Sequence, residues 1–350
     1  MASLGRVTVS ERRSTGFTLR QYMGVTDRHS LPGYTMRPPT LGENAAVAEV
    51  INACEVEARG EREANASDIT KSWTAPGFDL RTDARAVVDD SGHMVGYAEF
   101  GRTDSPAQIE CDGFVRPEFR GLGLGSLLLD WIEARANEIA ADGPAGSRAK
   151  LQHFLWMQEK HGADLLTSRG FGVVRHFYQL IIELDPPPAP PEWPQGIVVR
   201  KMLPGDERAL CAADEESFSD HWGFVATPFE VFRHHNFEGE NFDPDLVFLA
   251  MDGADIAGGS ICRLHRTEDD AAKGWVGDLF VRRPWRRRGI ARALLLESFA
   301  AYRNRGYARV GLGVDAENPT GALDLYLGVG MTVDSEALCF EKELEPAERS

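Results

Sequence analysis

The sequence is poor in the features that mark a membrane protein, a disulfide scaffold or a nucleic-acid binder. It has no run of 18 or more apolar residues and no apolar signal segment at the N-terminus, which argues against membrane insertion and secretion and leaves the cytoplasm as the expected location. Cysteine is sparse. Cys54, Cys111, Cys211, Cys262 and Cys339 lie far apart, with no Cys-x-x-Cys pair and no histidine cluster beside them, so neither a disulfide framework nor a zinc site is supported. His221, His234 and His235 lack a third ligand in the sequence, and no metal is expected. Positive charge is also short: 38 Lys and Arg against 54 Asp and Glu give a formal net charge of −16. That balance argues against non-specific binding to nucleic acid and is compatible with a cationic amine partner.

What is present is an ordinary globular composition, 43% hydrophobic and 26% charged over 350 residues, long enough for two domains with a core each. The chain is organised around residues 277–302. Leu279, Phe280 and Val281 read as a buried strand, and Arg292 to Tyr302 as a helix with apolar residues at three-to-four spacing. Between them stand Arg286, Arg287, Arg288, Gly289, Ile290 and Ala291. A strand-to-helix turn leaves the first helical N–H groups without partners and faces the positive end of the helix dipole, so it is suited to an anion. Gly289 and Ala291 allow close approach to the backbone, and the arginines add charge.

The turn Arg286-x-x-Gly289-x-Ala291 resembles the pyrophosphate-binding signature of the GNAT superfamily of N-acetyltransferases. A second copy lies upstream, where Phe114 and Val115 lead into Arg120, Gly121, Gly123 and Gly125. The two turns are 166 residues apart, from Gly123 to Gly289, a domain-sized offset that indicates duplication. Asp185 to Gln195 holds six prolines and reads as a stiff linker spacing two domains. The expected architecture is therefore α+β, layered. Residues 1–32 form a flexible extension and 33–184 a first GNAT domain; 185–195 form the linker and 196–350 a second GNAT domain. Each domain is expected to be a mixed, mostly antiparallel twisted sheet flanked by helices. The tandem layout, covering about Tyr34 to Leu344, is similar to the mycothiol synthase-like branch of the superfamily.

The resemblance implies acetyl-CoA as acyl donor, held by residues 279–281, Arg286 to Arg292 and Asn318. It also implies that Tyr326, in Asn318-Pro-Thr-Gly-Ala-Leu-Asp-Leu-Tyr326, protonates the departing thiolate. Several relatives carry a Glu where Trp275 stands, so Asp278 is the nearest candidate base; a substrate anchor, a satisfied strand carboxylate or a water chain are equal readings of that position. The first half has Leu166 in the place of Tyr326, so it is expected to bind CoA without catalysing. Asp220, Trp222 and Phe224 fall in the segment that covers the acceptor cleft in the superfamily and could hold an amine with an apolar or sugar-like body. The expected activity is N-acetylation of a small primary amine within a ternary complex. Acetylation of an amine antibiotic or a protein amine remains open, as does a non-catalytic acyl-CoA sensor; the sequence leaves the oligomeric state undefined.

Overall fold

The computed structural model describes residues 31–101, 106–143, 148–265, 273–318 and 320–344. Of the extension expected over 1–32, all but Leu31 and Pro32 lies outside these residues. The first half runs β1 (Tyr34–Arg37), α1 (Asn44–Arg59), α2 (Ala66–Trp73), α3 (Leu80–Asp83), β2 (Ala84–Asp89), β3 (Met94–Phe100), β4 (Gln108–Val115), α4 (Leu124–Ala141), β5 (Ala149–Trp156), α5 (Lys160–Ser168) and β6 (Gly172–Glu183). The second repeats the plan: β7 (Ile197–Lys201), α6 (Glu207–Phe218), α7 (Phe229–Phe237), β8 (Val247–Asp252), β9 (Asp255–His265), β10 (Lys273–Val281), α8 (Ile290–Asn304), β11 (Arg309–Asp315), α9 (Ala322–Gly328) and β12 (Thr332–Leu344). Local chemistry sets several boundaries. Asn65 caps α2 by accepting the Asp68 N–H, and α1 stops at Gly60 in the left-handed region.

The two sheets join into one of twelve strands, ordered β1-β2-β3-β4-β5-β12-β6-β11-β10-β9-β8-β7. The character is mixed and mostly antiparallel, as expected. At the centre the halves trade strands. β6 leaves the first half to pair with β11, and β12 leaves the second to pair with β5, while β6 and β12 pair with each other. The exchange carries core residues: Leu180, Ile182 and Leu184 pack into the second half beside Leu312 and Phe299, and Phe340 and Leu344 into the first beside Leu151. At roughly 1.5–3 kcal/mol per fully buried aliphatic side chain, each half depends on the other for several kcal/mol of burial. The proline segment 185–195 therefore does not space two bodies. It returns the chain from β6 at the centre of the sheet to β7 at its edge, with Trp193 packed beside Ile197 and Leu294.

Among the described residues two strand pairs are parallel, β4 with β5 and β10 with β11, and both lose contact partway along. Pairing runs from Gln108↔Lys150 to Cys111↔His153 in one and from Lys273↔Arg309 to Val276↔Leu312 in the other. Beyond these points the strands splay, opening a gap in each half. The halves differ at this strand: β10 carries a bulge at Gly277, between Val276↔Cys262 and Asp278↔Ile261, whereas β4 follows β3 without a shift from Gly96↔Val115 to Phe100↔Cys111.

Candidate active site

The bulge and the splay together free one edge of β10. From Gly277 to Val281 no strand pairs with its β11-facing side among the described residues, so main-chain groups line the gap. Directly after Val281 the chain makes a single 3₁₀ turn at Arg283–Trp285, then enters the glycine turn. Arg287 takes φ 64° and Gly289 φ 87°, and α8 begins at Ile290 with no side-chain cap on its first N–H groups. Nothing lies within 4 Å of where a Cβ on Gly289 would sit, so the mouth of the helix is open.

A cavity of about 700 Å³ runs from this mouth along the gap. It is lined at the cofactor end by Leu279, Phe280, Val281, Arg286, Arg287, Gly289, Ile290, Ala291, Arg292, Asn318 and Tyr326, which the sequence also singled out. Arg288 is not among them; it reaches the Gln195 carbonyl at 3.4 Å. Tyr326 is 7% exposed on α9, its hydroxyl has no hydrogen-bond partner among the described residues, and burial pushes its pKa up to about 12. The phenol is thus protonated at neutral pH. Asn318 Oδ1 accepts from the Thr320 N–H at 2.9 Å and the Thr320 hydroxyl at 2.6 Å, bracing the entry to α9.

Three residues are not where the sequence suggested. Asp278 does not line the cavity: past the bulge it lies on the side of β10 near Asp214 of α6 and Arg263, whose Nη2 is 3.7 Å away, and burial raises its pKa against the opposing pull of Arg263. It is therefore not set to take a proton from a molecule in the gap. Asp220 is bound to Arg283, at 2.5 and 3.0 Å, and to Arg286 at 3.4 Å, so it anchors the loop after α6 to the glycine turn instead of offering a free carboxylate to an amine. Phe224 is exposed and outside the cavity; Trp222 lines it. Arg286 itself is largely spent on protein, bonding the carbonyls of Val281 at 3.1 Å and Ser217 at 3.0 Å.

The far wall was not legible in the sequence, because the first half supplies it. Trp156 of β5 and Phe177, Tyr178 and Gln179 of β6 face the gap through the exchanged strands, opposite His221, Trp222 and Trp275. Arg59 lies 4.0 Å over the Trp156 ring and bonds Gln179 Oε1 at 3.1 Å, and Trp156 Nε1 bonds Glu55 at 3.0 Å, so this wall is braced from α1.

The first half repeats the turn, with Gly121 at φ 77° and Gly123 at φ 88°, over a cavity of about 420 Å³ lined by Val115, Arg120, Gly121, Gly123, Gly125 and Leu166. Phe114 turns instead into the core under α1 and α2. Leu31 stands against one side of the turn. Leu31 Cδ1 is 3.4 Å from where a Gly123 Cβ would be, and Arg120 is paired with Glu57. Among the described residues no group of three or more metal-ligating side chains occurs, and no helix is long and apolar enough to cross a membrane.

A splayed parallel strand pair, a bulge before it and an open glycine turn after it define an acyltransferase scaffold of one kind. Residues 209–331 match the Acetyltransferase (GNAT) family and residues 83–173 the Acetyltransferase (GNAT) domain. The chain is 30% identical over 252 residues to a mycothiol acetyltransferase of Thermobispora bispora, covering 70% of this chain and 79% of that one. It is 28% identical over 270 residues to that of Acidothermus cellulolyticus, covering 73% and 78%. A GCN5-related N-acetyltransferase from Sphaerobacter thermophilus superposes with a TM-score of 0.75 at 35% identity, over 91% of this chain and 98% of that one. A tandem GNAT protein from the clavulanic acid biosynthesis pathway shares the fold, with a TM-score of 0.66 at 14% identity over 90% and 100%. The chain belongs to the GNAT acetyltransferase family and is an N-acetyltransferase with two GNAT regions in tandem.

Proposed function

We propose that the protein transfers the acetyl group of acetyl-CoA to a primary amine of a small molecule, by direct attack within a ternary complex, in the gap of the second half. The observation that carries this reading is the assembly around one cavity of the free β10 edge, the open Gly289 turn and the unpaired hydroxyl of the largely buried Tyr326. The α8 N-terminus, with Arg287 and Arg292, suits the pyrophosphate of the donor. Main-chain N–H groups along residues 277–281 suit the thioester carbonyl and the oxyanion that forms on it. Tyr326 gives its proton to the departing thiolate. The first half lacks the bulge, has Leu166 for the tyrosine and has Leu31 against Gly123 of its turn, which supports a single donor site per chain.

The acceptor end is aromatic rather than acidic. Trp156, Phe177, Trp222 and Trp275 with Gln179 favour a compact amine with an apolar or sugar-like body over a peptide. The name borne by the relatives, mycothiol acetyltransferase, adds support for a small thiol-bearing acceptor. Calorimetry with acetyl-CoA together with Tyr326→Phe tests the reading. One site is expected, abolished by Gly289→Glu and retained in Gly123→Glu, and Tyr326→Phe should keep that affinity while losing at least tenfold in turnover, about 1.4 kcal/mol of barrier. Unchanged turnover would remove Tyr326 from the chemistry, and no binding would overturn the assignment.

A further inference from the structure

Removal of the proton from the acceptor amine is a step that neither Tyr326 nor Asp278 performs. Among the groups lining the cavity, Tyr178 and Tyr326 are phenols and Arg286, Arg287 and Arg292 are permanent cations. That leaves His221 and Asp315 as side chains able to take a proton near neutral pH. Asp315 is occupied: its Oδ1 accepts the Glu317 N–H at 2.9 Å, and Arg175 Nε stands 3.6 Å from Oδ2. His221 is not. Its ring packs edge-on against Phe218 with centroids 4.6 Å apart, next to Trp222, and among the described residues neither ring nitrogen has a hydrogen-bond partner.

Its backbone is nonetheless firmly placed. The His221 N–H donates to the Phe218 carbonyl at 2.8 Å, and Asp220, the residue before it, is clasped by Arg283 and Arg286. A side chain free at its tip and fixed at its root, facing the acceptor end of a transfer cavity, is suited to proton exchange.

We propose that His221 accepts the proton of the acceptor amine, directly or through one water. The inference rests on the transfer reading above. The amine nitrogen, on losing that proton to the imidazole, forms the C–N bond to the acetyl carbonyl carbon. The tetrahedral intermediate so formed loses its second nitrogen proton to water, the C–S bond breaks, and the thiolate takes the proton of Tyr326. The imidazolium returns its proton to solvent and the Tyr326 phenolate is reprotonated from solvent. An ammonium and acetyl-CoA thus become an amide, CoA thiol and one proton. The charges facing His221 are Arg286 from the glycine turn, Asp315 from β11 and Asp220 from its own loop. Burial first, then Arg286, hold the imidazole below its ordinary value of 6.5 against the pull of the two carboxylates, so that it is a neutral base at pH 7.

The test has two independent arms. In the first, acetyl transfer to L-cysteinamide and to glucosamine is followed against pH for the wild type, His221→Gln and His221→Asn. The wild type should show a rising acidic limb with a midpoint below 6.5 that is the same for both amines. The variants should bind acetyl-CoA normally, lose the limb and fall roughly a hundredfold in kcat. Variants that keep both limb and rate overturn the proposal; a purely structural histidine would alter acetyl-CoA affinity or stability but not the limb. In the second arm, carbon-13 histidine NMR follows the resonance that disappears in His221→Gln. A midpoint below 6.5, with a shift on adding acetyl-CoA, supports the role, and a midpoint above 7 overturns it. A wild type that acetylates neither amine counts against the transfer reading for these acceptors, and the NMR arm then judges His221 alone.

Discussion

At the scale of single residues, the sharpest tension is at Arg287. It holds φ 64°, a left-handed conformation that costs a non-glycine residue roughly 1–2 kcal/mol, while its counterpart Gly121 adopts φ 77° without penalty. Under the proposed function, the strained Arg287 at the mouth of the helix supplies positive charge to the donor pyrophosphate. Arg287→Gly is expected to leave stability unchanged or raise it by up to about 1 kcal/mol, since relief of strain is partly offset by the extra freedom of glycine in the unfolded chain. The same change should weaken acetyl-CoA binding and flatten its salt dependence. Urea unfolding and calorimetry at two ionic strengths check both; equal affinity at both would show that the guanidinium does not meet the pyrophosphate. The placements legible from sequence were those that follow from a residue's own stretch of chain: Gly289 at a helix start and Tyr326 a fixed distance after Asn318, both on the cavity wall. Asp220 proved tied to Arg283, and of the readings left open for Asp278 its place beside Arg263 matches the strand carboxylate; a carboxylate's role depends on its partner, and both arginines come from other elements. His221 gave no sequence signal beyond its place in the acceptor segment.

At the scale of elements, one difference between the halves is a single extra residue in one strand. Gly277 is the inserted position of β10, and a Cβ there would meet Arg263 at 3.2 Å and the Ile261 carbonyl at 3.3 Å. Deleting Gly277 would give β10 the unbroken register that β4 already has, and that strand pairs normally with β3. The deletion variant is therefore expected to remain folded by circular dichroism yet to lose at least about a hundredfold in turnover, the scale of removing an oxyanion donor. Turnover within tenfold of wild type would mean that the bulge does not organise the carbonyl site. Element order and boundaries were largely readable, since apolar periodicity and turn residues act locally. The bulge was not, because an extra residue in a strand is visible only against its neighbour's register.

At the scale of the whole molecule, the halves are inseparable. β6 completes the second half and β12 the first, and the buried Lys273 of β10, 2% exposed, is paired at 2.8 Å with Glu63 from the loop after α1. A fragment of residues 196–344 lacks the strand that covers β11 and should be insoluble, whereas its co-expression with residues 31–184 should yield a soluble complex that binds acetyl-CoA. Soluble, binding-competent 196–344 on its own would show the exchange to be dispensable. Pairing between strands so far apart could not be read from either repeat, since each half carries strands that would suit its own sheet. The exchange also has a consequence for how the protein is made. On the ribosome, the first half emerges complete in sequence but with a vacant slot between β5 and β6, and that slot can be filled only when the whole second half has been translated. Until then two strand edges stand unguarded, open to pairing with other nascent chains, so the finished first half waits on the last strand translated.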